Sequence, residues 1–125
     1  MKSENWLDLA KMDYDDSLYL FKGARYPNAV YHVCQAVEKI LKAAQVKFKN
    51  TVPRKTHQLG DLAKASGLEF TLEQTKFLEA LAKDYGRVRY SDYARTFYNT
   101  KAKVDPLFKK AQQTYLWILT KLESN

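Results

Sequence analysis

The sequence has few of the residues on which disulfide-linked, metal-caged and tightly turned folds depend. Its one cysteine, Cys34, excludes an internal disulfide and a multi-cysteine metal cage. Four glycines and three prolines are too few for an all-β domain with many tight turns. The two histidines, His32 and His57, exclude a three-histidine zinc site, and the carboxylates show no recognisable metal-ligand spacing. We therefore expect a helical fold with no metal and no cofactor.

Long apolar runs and targeting signals are also missing. The longest uncharged stretches, residues 26–37 and 111–120, are shorter and more polar than the roughly 20 apolar residues that cross a bilayer. No basic start leads into an apolar signal segment. These absences predict a cytoplasmic protein that does not enter a membrane. With 125 residues, of which 46% are hydrophobic and 28% charged, the chain is expected to form a single globular domain over residues 1–125.

Positive charge is what the sequence has in excess, with a formal net charge of +7. The stretch from Lys39 to Gly60 contains six lysines or arginines and no carboxylate. A second basic stretch, residues 83–103, is interleaved with tyrosines and a phenylalanine. Basic side chains among aromatic ones suit phosphate groups and stacked bases. A solvated basic surface whose aromatic rings pack into the core would produce the same pattern.

The spacing of apolar residues predicts an all-α, up-and-down bundle of about five helices. The predicted helices are Asn5–Gly23, Pro27–Gln45, Thr56–Gly67, Thr71–Gly86 and a last helix from Thr100 or Pro106 to the end. Thr71 and Gln74 form a capping-box signature. We expect a basic loop at residues 47–55 and a long, tyrosine-rich loop at residues 87–99.

The second predicted helix carries polar groups opposite its apolar stripe. At about 100° per residue, one face contains Asn28, Tyr31, His32, Gln35, Glu38, Lys39 and Lys42. This face offers a base, a carboxylate, an amide and two ammonium groups. Alternatively, Glu38 and Lys42 form an ordinary surface ion pair and the other residues only meet water. Cys34 lies beside the stripe without the surroundings of an activated thiolate, so we expect it to be a packing residue.

Three separated motifs of the sequence resemble the HEPN domain family. They read ARYPNAVYHVCQAVEKILKAA at residues 24–44, PRKTHQLGDL at residues 53–62 and RYSDY at residues 89–93. In that family a helix of the approximate form A-x-x-x-x-Q-A-x-E-K-x-L-K-A precedes T-H-x-L and then R-Y-P-D. The resemblance covers about residues 5–122. It implies a helical bundle like the substrate-binding subunits of nucleotidyltransferases, usually a homodimer and often encoded beside a minimal nucleotidyltransferase.

The resemblance and the charge pattern select one set of candidate ligand-binding residues. They are Gln35, Glu38, Lys39, Lys42, His57, Arg87, Arg89 and Tyr90. The resulting hypothesis is a binding module with no catalytic residues, whose basic cleft accepts a nucleotide or RNA. In this hypothesis the arginines clamp phosphate and Tyr90 stacks or hydrogen-bonds. A structural alternative is that the bundle only docks a minimal nucleotidyltransferase, as one half of a toxin–antitoxin pair.

The enzymatic alternative is a metal-independent ribonuclease of the toxin–antitoxin type. His57 or His32 would act as the base, and Arg89 would stabilise the transition state. The ribonuclease branch of the family carries an arginine, then four to six intervening residues, then a histidine, near the last helices. No histidine follows His57, and Arg25, which has this spacing to His32, lies outside the predicted second helix. The sequence therefore favours a binding protein over an enzyme.

Apolar residues outside the main stripes predict a homodimer. Such residues are Trp6, Leu9 and Leu20 in the first helix and Leu116 and Trp117 in the last. Together they amount to more apolar surface than a monomeric five-helix bundle covers easily. The alternative is that a wide apolar stripe simply packs inside one bundle.

Overall fold

The computed structural model describes residues 1–124, apart from the side chain of Ser91, and these residues form six helices and no strand. The helices are α1 (Ser3–Lys22), α2 (Tyr26–Lys49), α3 (Leu59–Ala65), α4 (Leu72–Arg87), α5 (Ser91–Phe97) and α6 (Lys101–Glu123). The predicted all-α bundle is thereby confirmed. None of the helices in these residues is long and apolar enough to span a membrane.

Helix α2 is the central element, because its neighbours α1, α3, α4 and α6 all pack against it. Its predicted apolar stripe is fully buried, from Val30 to Ala44. Cys34 is also buried among these residues, which agrees with its expected packing role. The supposed polar face is not a solvated surface, however, because Glu38 and Lys42 are buried as well. The two residues therefore need partners inside the protein.

Local sequence signals set several helix ends as predicted. Gly23 ends α1, and Pro27 lies in the first turn of α2, where its missing N–H is harmless. The Thr71 hydroxyl accepts a hydrogen bond from the Gln74 amide, and the Gln74 side chain returns one, which completes the capping box of α4. Thr100 caps α6 in a similar way.

Several predicted boundaries were wrong. Helix α1 begins at Ser3 with Lys2 as its N-cap, so Asn5 does not begin it. Helix α2 continues to Lys49, because Asn50 rather than an earlier residue ends it with a left-handed backbone (φ 51°) that asparagine tolerates. Thr56 does not cap α3, which begins only at Leu59. The hydroxyl of Thr56 instead accepts a hydrogen bond from the Gln58 amide within the loop.

The predicted long loop after Gly86 contains the short helix α5. Among the described side chains of this segment, only those of Ala94 in the helix and Tyr98 just after it are buried. The Tyr98 hydroxyl donates a 2.6 Å hydrogen bond to Asp84 of α4 and so ties α5 to the bundle. Two inward positions are too few to reveal a helical period, which is why the sequence pattern resembled a loop.

Part of the apolar surface predicted to form a dimer interface is covered within one chain. Trp6, Leu20 and Trp117 are half-buried and pack against the core. Leu9 is also half-buried, whereas Leu116 remains 46% exposed. The wide stripe on α1 and α6 therefore contributes to the interior of the bundle.

Candidate functional site

The carboxylate of Glu38 is the centre of a hydrogen-bond network that joins α2, α4 and the loop before α3. Its Oε1 atom accepts hydrogen bonds from His57 Nδ1 at 2.7 Å and from the Tyr85 hydroxyl at 2.8 Å. Its Oε2 atom accepts one from Lys42 Nζ at 2.9 Å. Because a carboxylate only accepts, the hydrogen bond to His57 fixes a proton on Nδ1. Three donors from three parts of the fold thus converge on one side chain.

These donors keep Glu38 ionised despite its burial. Burial by itself raises the pKa of the carboxyl group, but the hydrogen bonds from His57, Lys42 and Tyr85 together outweigh it and lower the pKa below its ordinary value. Burial and the nearby Glu38 charge raise the pKa of Tyr85 in turn. Tyr85 therefore stays protonated and remains a donor to the carboxylate.

Lys42 is the buried counterion of Glu38. The two residues do form the predicted i,i+4 pair, but Glu38 is only 7% exposed and Lys42 only 6%. The ammonium group also lies 5.1 Å from the centre of the Trp6 ring, which shields it on the α1 side. The charge of Lys42 is thus neutralised inside the bundle.

Tyr85 holds two exposed groups beside this network. The Arg89 guanidinium lies over the Tyr85 ring, 4.6 Å from its centre. The His57 ring meets the same ring edge-on at 5.2 Å, and its side chain is 55% exposed. Within residues 1–124, no carboxylate forms an ion pair with Arg89, and His57 Nε2 makes no hydrogen bond. We name Tyr85, His57 and Arg89 the tyrosine site.

Two other predicted residues lie at the junction of α4 and α5. The Arg87 guanidinium is 5.7 Å from the centre of the Tyr93 ring, and Tyr90 is 72% exposed. They line an open hollow together with Asp92 and Thr96. Along the chain, Arg87 of this hollow lies between Tyr85 and Arg89, and the other lining residues follow Arg89.

The remaining predicted residues face a different part of the molecule. Lys39 Nζ donates to Asp13 Oδ2 of α1, and His32 Nδ1 lies 3.0 Å from Asp13 Oδ1. Gln35 is half-buried on α2. Lys39 therefore does not converge with Lys42, although only three residues separate them.

Sequence reasoning missed the role of Tyr85 and the contribution of Asp13. Tyr85 counted only as one aromatic residue in a basic stretch, yet it contacts Glu38, His57 and Arg89. Helical spacing gives no signal for the contact with Arg89, because α4 ends at Arg87 and Arg89 lies beyond it. Nothing in the spacing of Asp13 connects it to the second helix.

Glu38→Gln is expected to destabilise the protein strongly. The variant leaves the buried Lys42 ammonium without a counter-charge, and breaking a buried pair in this way costs about 3–5 kcal/mol. Urea unfolding at neutral pH measures the loss. Adding Lys42→Met to the Glu38→Gln chain should recover part of it, because the uncompensated charge is then removed.

The free energy of unfolding, measured as a function of pH in the acid range, provides the control for this prediction. The folded pKa of Glu38 is below its unfolded value, so its stabilisation is complete above the unfolded pKa, about 4.3, and is lost as the pH falls through the folded pKa. Wild type should lose stability more steeply than Glu38→Gln in that acid range. Parallel pH curves for the two proteins would show that the Glu38 charge is not stabilising.

Comparison with known proteins agrees with this architecture. The HEPN domain family matches residues 3–122. The fold is similar to TT1696 from Thermus thermophilus, with a TM-score of 0.79 and 20% identity over 95% of this chain and 97% of that one. It is also similar to ST0689, an archaeal HEPN homologue, with a TM-score of 0.73 and 21% identity over 98% and 99% of the two chains. No curated protein matches the sequence. The chain belongs to the HEPN domain family.

Proposed function

We propose that this HEPN domain is a binding module whose tyrosine site accepts a phosphate-bearing ligand, either a nucleotide or a segment of RNA. The observation that carries the proposal is the placement of Arg89. Its guanidinium is held against the Tyr85 ring, and no carboxylate in the described residues pairs with it. A positioned, unneutralised guanidinium is the group that best recognises phosphate.

The surroundings of Arg89 favour a phosphate that belongs to a nucleotide, because groups that can contact the base lie nearby. His57 presents its free Nε2 atom beside the same ring, where it accepts a hydrogen bond or, when protonated, donates one. The exposed rings of Tyr90 and Tyr93 follow at the α4–α5 junction together with Arg87. Aromatic faces next to cationic groups stack unpaired bases without strong sequence preference. The net charge of +7 attracts polyanions at longer range.

A metal-independent ribonuclease is the second candidate function, and the Glu38–His57 contact favours it. A carboxylate that fixes the proton on Nδ1 leaves Nε2 of His57 exposed as a base. Arg89 is placed on the same tyrosine and would stabilise a phosphorane-like charge. The chain lacks the arginine-to-histidine motif of the ribonuclease branch after His57, so binding without cleavage remains the first candidate.

Assembly into a homodimer is part of the proposal. The outer face of α1 exposes Met12 (63%) and Tyr19 (81%), which are seven residues apart and so share one face of the helix. Leu116 of α6 is also exposed. A minimal nucleotidyltransferase is the protein partner suggested by family membership, in a toxin–antitoxin pair.

Light scattering at tens of micromolar is expected to give twice the 14.6 kDa mass of one chain. Replacing Tyr19 and Met12 by lysine should shift the mass toward the monomer, because two charges would have to be buried in the interface. Leu72→Lys is the matched control, since Leu72 is 71% exposed on α4. A wild-type mass of one chain would exclude the dimer.

Arg89→Ala is expected to weaken the binding of a short single-stranded RNA and of a nucleoside monophosphate by about 1.5–3 kcal/mol. This is the range for a hydrogen bond to a charged group. Fluorescence anisotropy and calorimetry measure the affinity at a fixed salt concentration. The melting temperature should change little, because Arg89 is exposed and makes only the ring contact.

Lys49→Ala is the matched control for this substitution. It removes one positive charge from an exposed residue at the end of α2, 18 residues after Tyr31, whose ring meets that of Tyr85, and therefore about 27 Å from that contact along the helix. Its effect on affinity should be small, since screening weakens charges beyond about 10 Å. A lower melting temperature with unchanged affinity in Arg89→Ala would mean that Arg89 is structural.

Purified protein is expected to leave bound RNA intact, with or without divalent metal. Gel analysis of a labelled RNA after prolonged incubation tests this. Site-specific cleavage that disappears in His57→Ala but persists in His32→Ala would instead establish the ribonuclease candidate. The two variants can be compared directly, because His32 and His57 belong to separate hydrogen-bond networks and each substitution disturbs only one of them.

A further inference from the structure

A second cluster of polar side chains lies where α1 packs against α2. Asp13, Asp16 and His32 each place one potential metal-ligand atom within 4.8 Å of the other two. Asp13 is 7% exposed, whereas Asp16 is on the surface and His32 is half-buried. The cluster is separate from the tyrosine site, because it faces α1 rather than α4.

We propose that Asp13, Asp16 and His32 form a binding site for one divalent transition-metal ion, with Zn²⁺ as the best fit. One imidazole nitrogen and two carboxylate oxygens are a donor set that zinc accepts. Three protein ligands leave a coordination position for water or for a further ligand. This inference does not depend on the proposed phosphate site.

The distances already approach those of a coordination shell. Zinc bonds to nitrogen and oxygen at about 2.0–2.2 Å, so two of its ligand atoms lie about 3–3.5 Å apart. His32 Nδ1 and Asp13 Oδ1 are 3.0 Å apart. The ion would replace the hydrogen between these atoms. An imidazolium releases its Nδ1 proton to solvent, whereas a neutral imidazole moves that proton to Nε2, so that in both cases the ligand is a neutral imidazole with its hydrogen on Nε2. Asp16 is exposed and accepts no hydrogen bond within residues 1–124, so its side chain is free to turn inward.

The helices position these ligands before any ion arrives. Asp13 and Asp16 are three residues apart and share a face of α1, while His32 comes from the facing helix, as in metal sites of other bundles. Lys39 donates to Asp13 Oδ2, which orients the carboxylate and leaves Oδ1 for the ion. Asp15 is equally exposed but does not belong to the cluster, so the arrangement is more specific than a run of acidic residues.

Zinc titration of the full chain tests the proposal, with Asp16→Asn and His32→Gln as ligand variants and Asp15→Asn as the matched control. We expect one Zn²⁺ per wild-type chain in calorimetry, with an increase in melting temperature, because a ligand that binds only the folded state stabilises it. Co²⁺ in place of zinc should give visible absorption bands. Both ligand variants should weaken zinc binding by about tenfold or more, whereas Asp15→Asn should retain it.

The ligand variants are chosen to remain folded. Asp16 is exposed, and the amide of His32→Gln can still donate a hydrogen bond to Asp13. Circular dichroism confirms their helicity. The proposal is overturned if wild type shows no saturable binding of one ion. It is equally overturned if binding survives in both ligand variants, which would assign the ion to another group such as the exposed His57.

Discussion

The ionised carboxylate of Glu38 inside the bundle is the constraint on which the candidate site depends. A buried charge is stable only when donors saturate it, and here they come from α2 itself, from the loop before α3 and from α4. Meeting that requirement fixes the Tyr85 ring, and the ring in turn positions His57 and Arg89 at the surface. The hydrogen bonds required by a buried carboxylate therefore determine how an exposed histidine and an exposed arginine are placed.

Helix α2 satisfies two such carboxylates on two of its sides. Glu38 pairs with a lysine and a histidine toward α4, and Asp13 of α1 pairs with Lys39 and His32. Glu38 and Lys39 are consecutive, so the helix turns them about 100° apart and toward different neighbours. What the helical wheel presents as one broad polar face is divided by packing into two separate networks. The division depends on hydrogen-bond partners that are distant in the sequence, and a helical wheel of α2 alone does not show them.

The parts of the structure that local signals control were predictable from the sequence. Gly23, Pro27 and the Thr71–Gln74 capping box set their helix ends through contacts within a few residues, and the stripe from Val30 to Ala44 is buried as its spacing predicts. Helix α5 was missed because, among its described side chains, only that of Ala94 is buried, with Tyr98 following just after the helix. The site was predicted incompletely, since the hydrogen bond from Tyr85 to Glu38 joins residues 47 positions apart.

The ion pairs in the described residues determine which of the predicted cationic side chains keep an uncompensated charge. A cleft centred on α2 would need Lys39 and Lys42 as free cations, but Asp13 and Glu38 neutralise them inside the bundle. In the described part of the chain, Arg87 and Arg89 have aromatic rings rather than carboxylates as partners. An aromatic ring orients a guanidinium without cancelling its charge, whereas a carboxylate does both. Of the lysines and arginines predicted for the site, Arg87 and Arg89 are thus the two without a carboxylate partner in the described residues, and α2 contributes by holding Tyr85 in place.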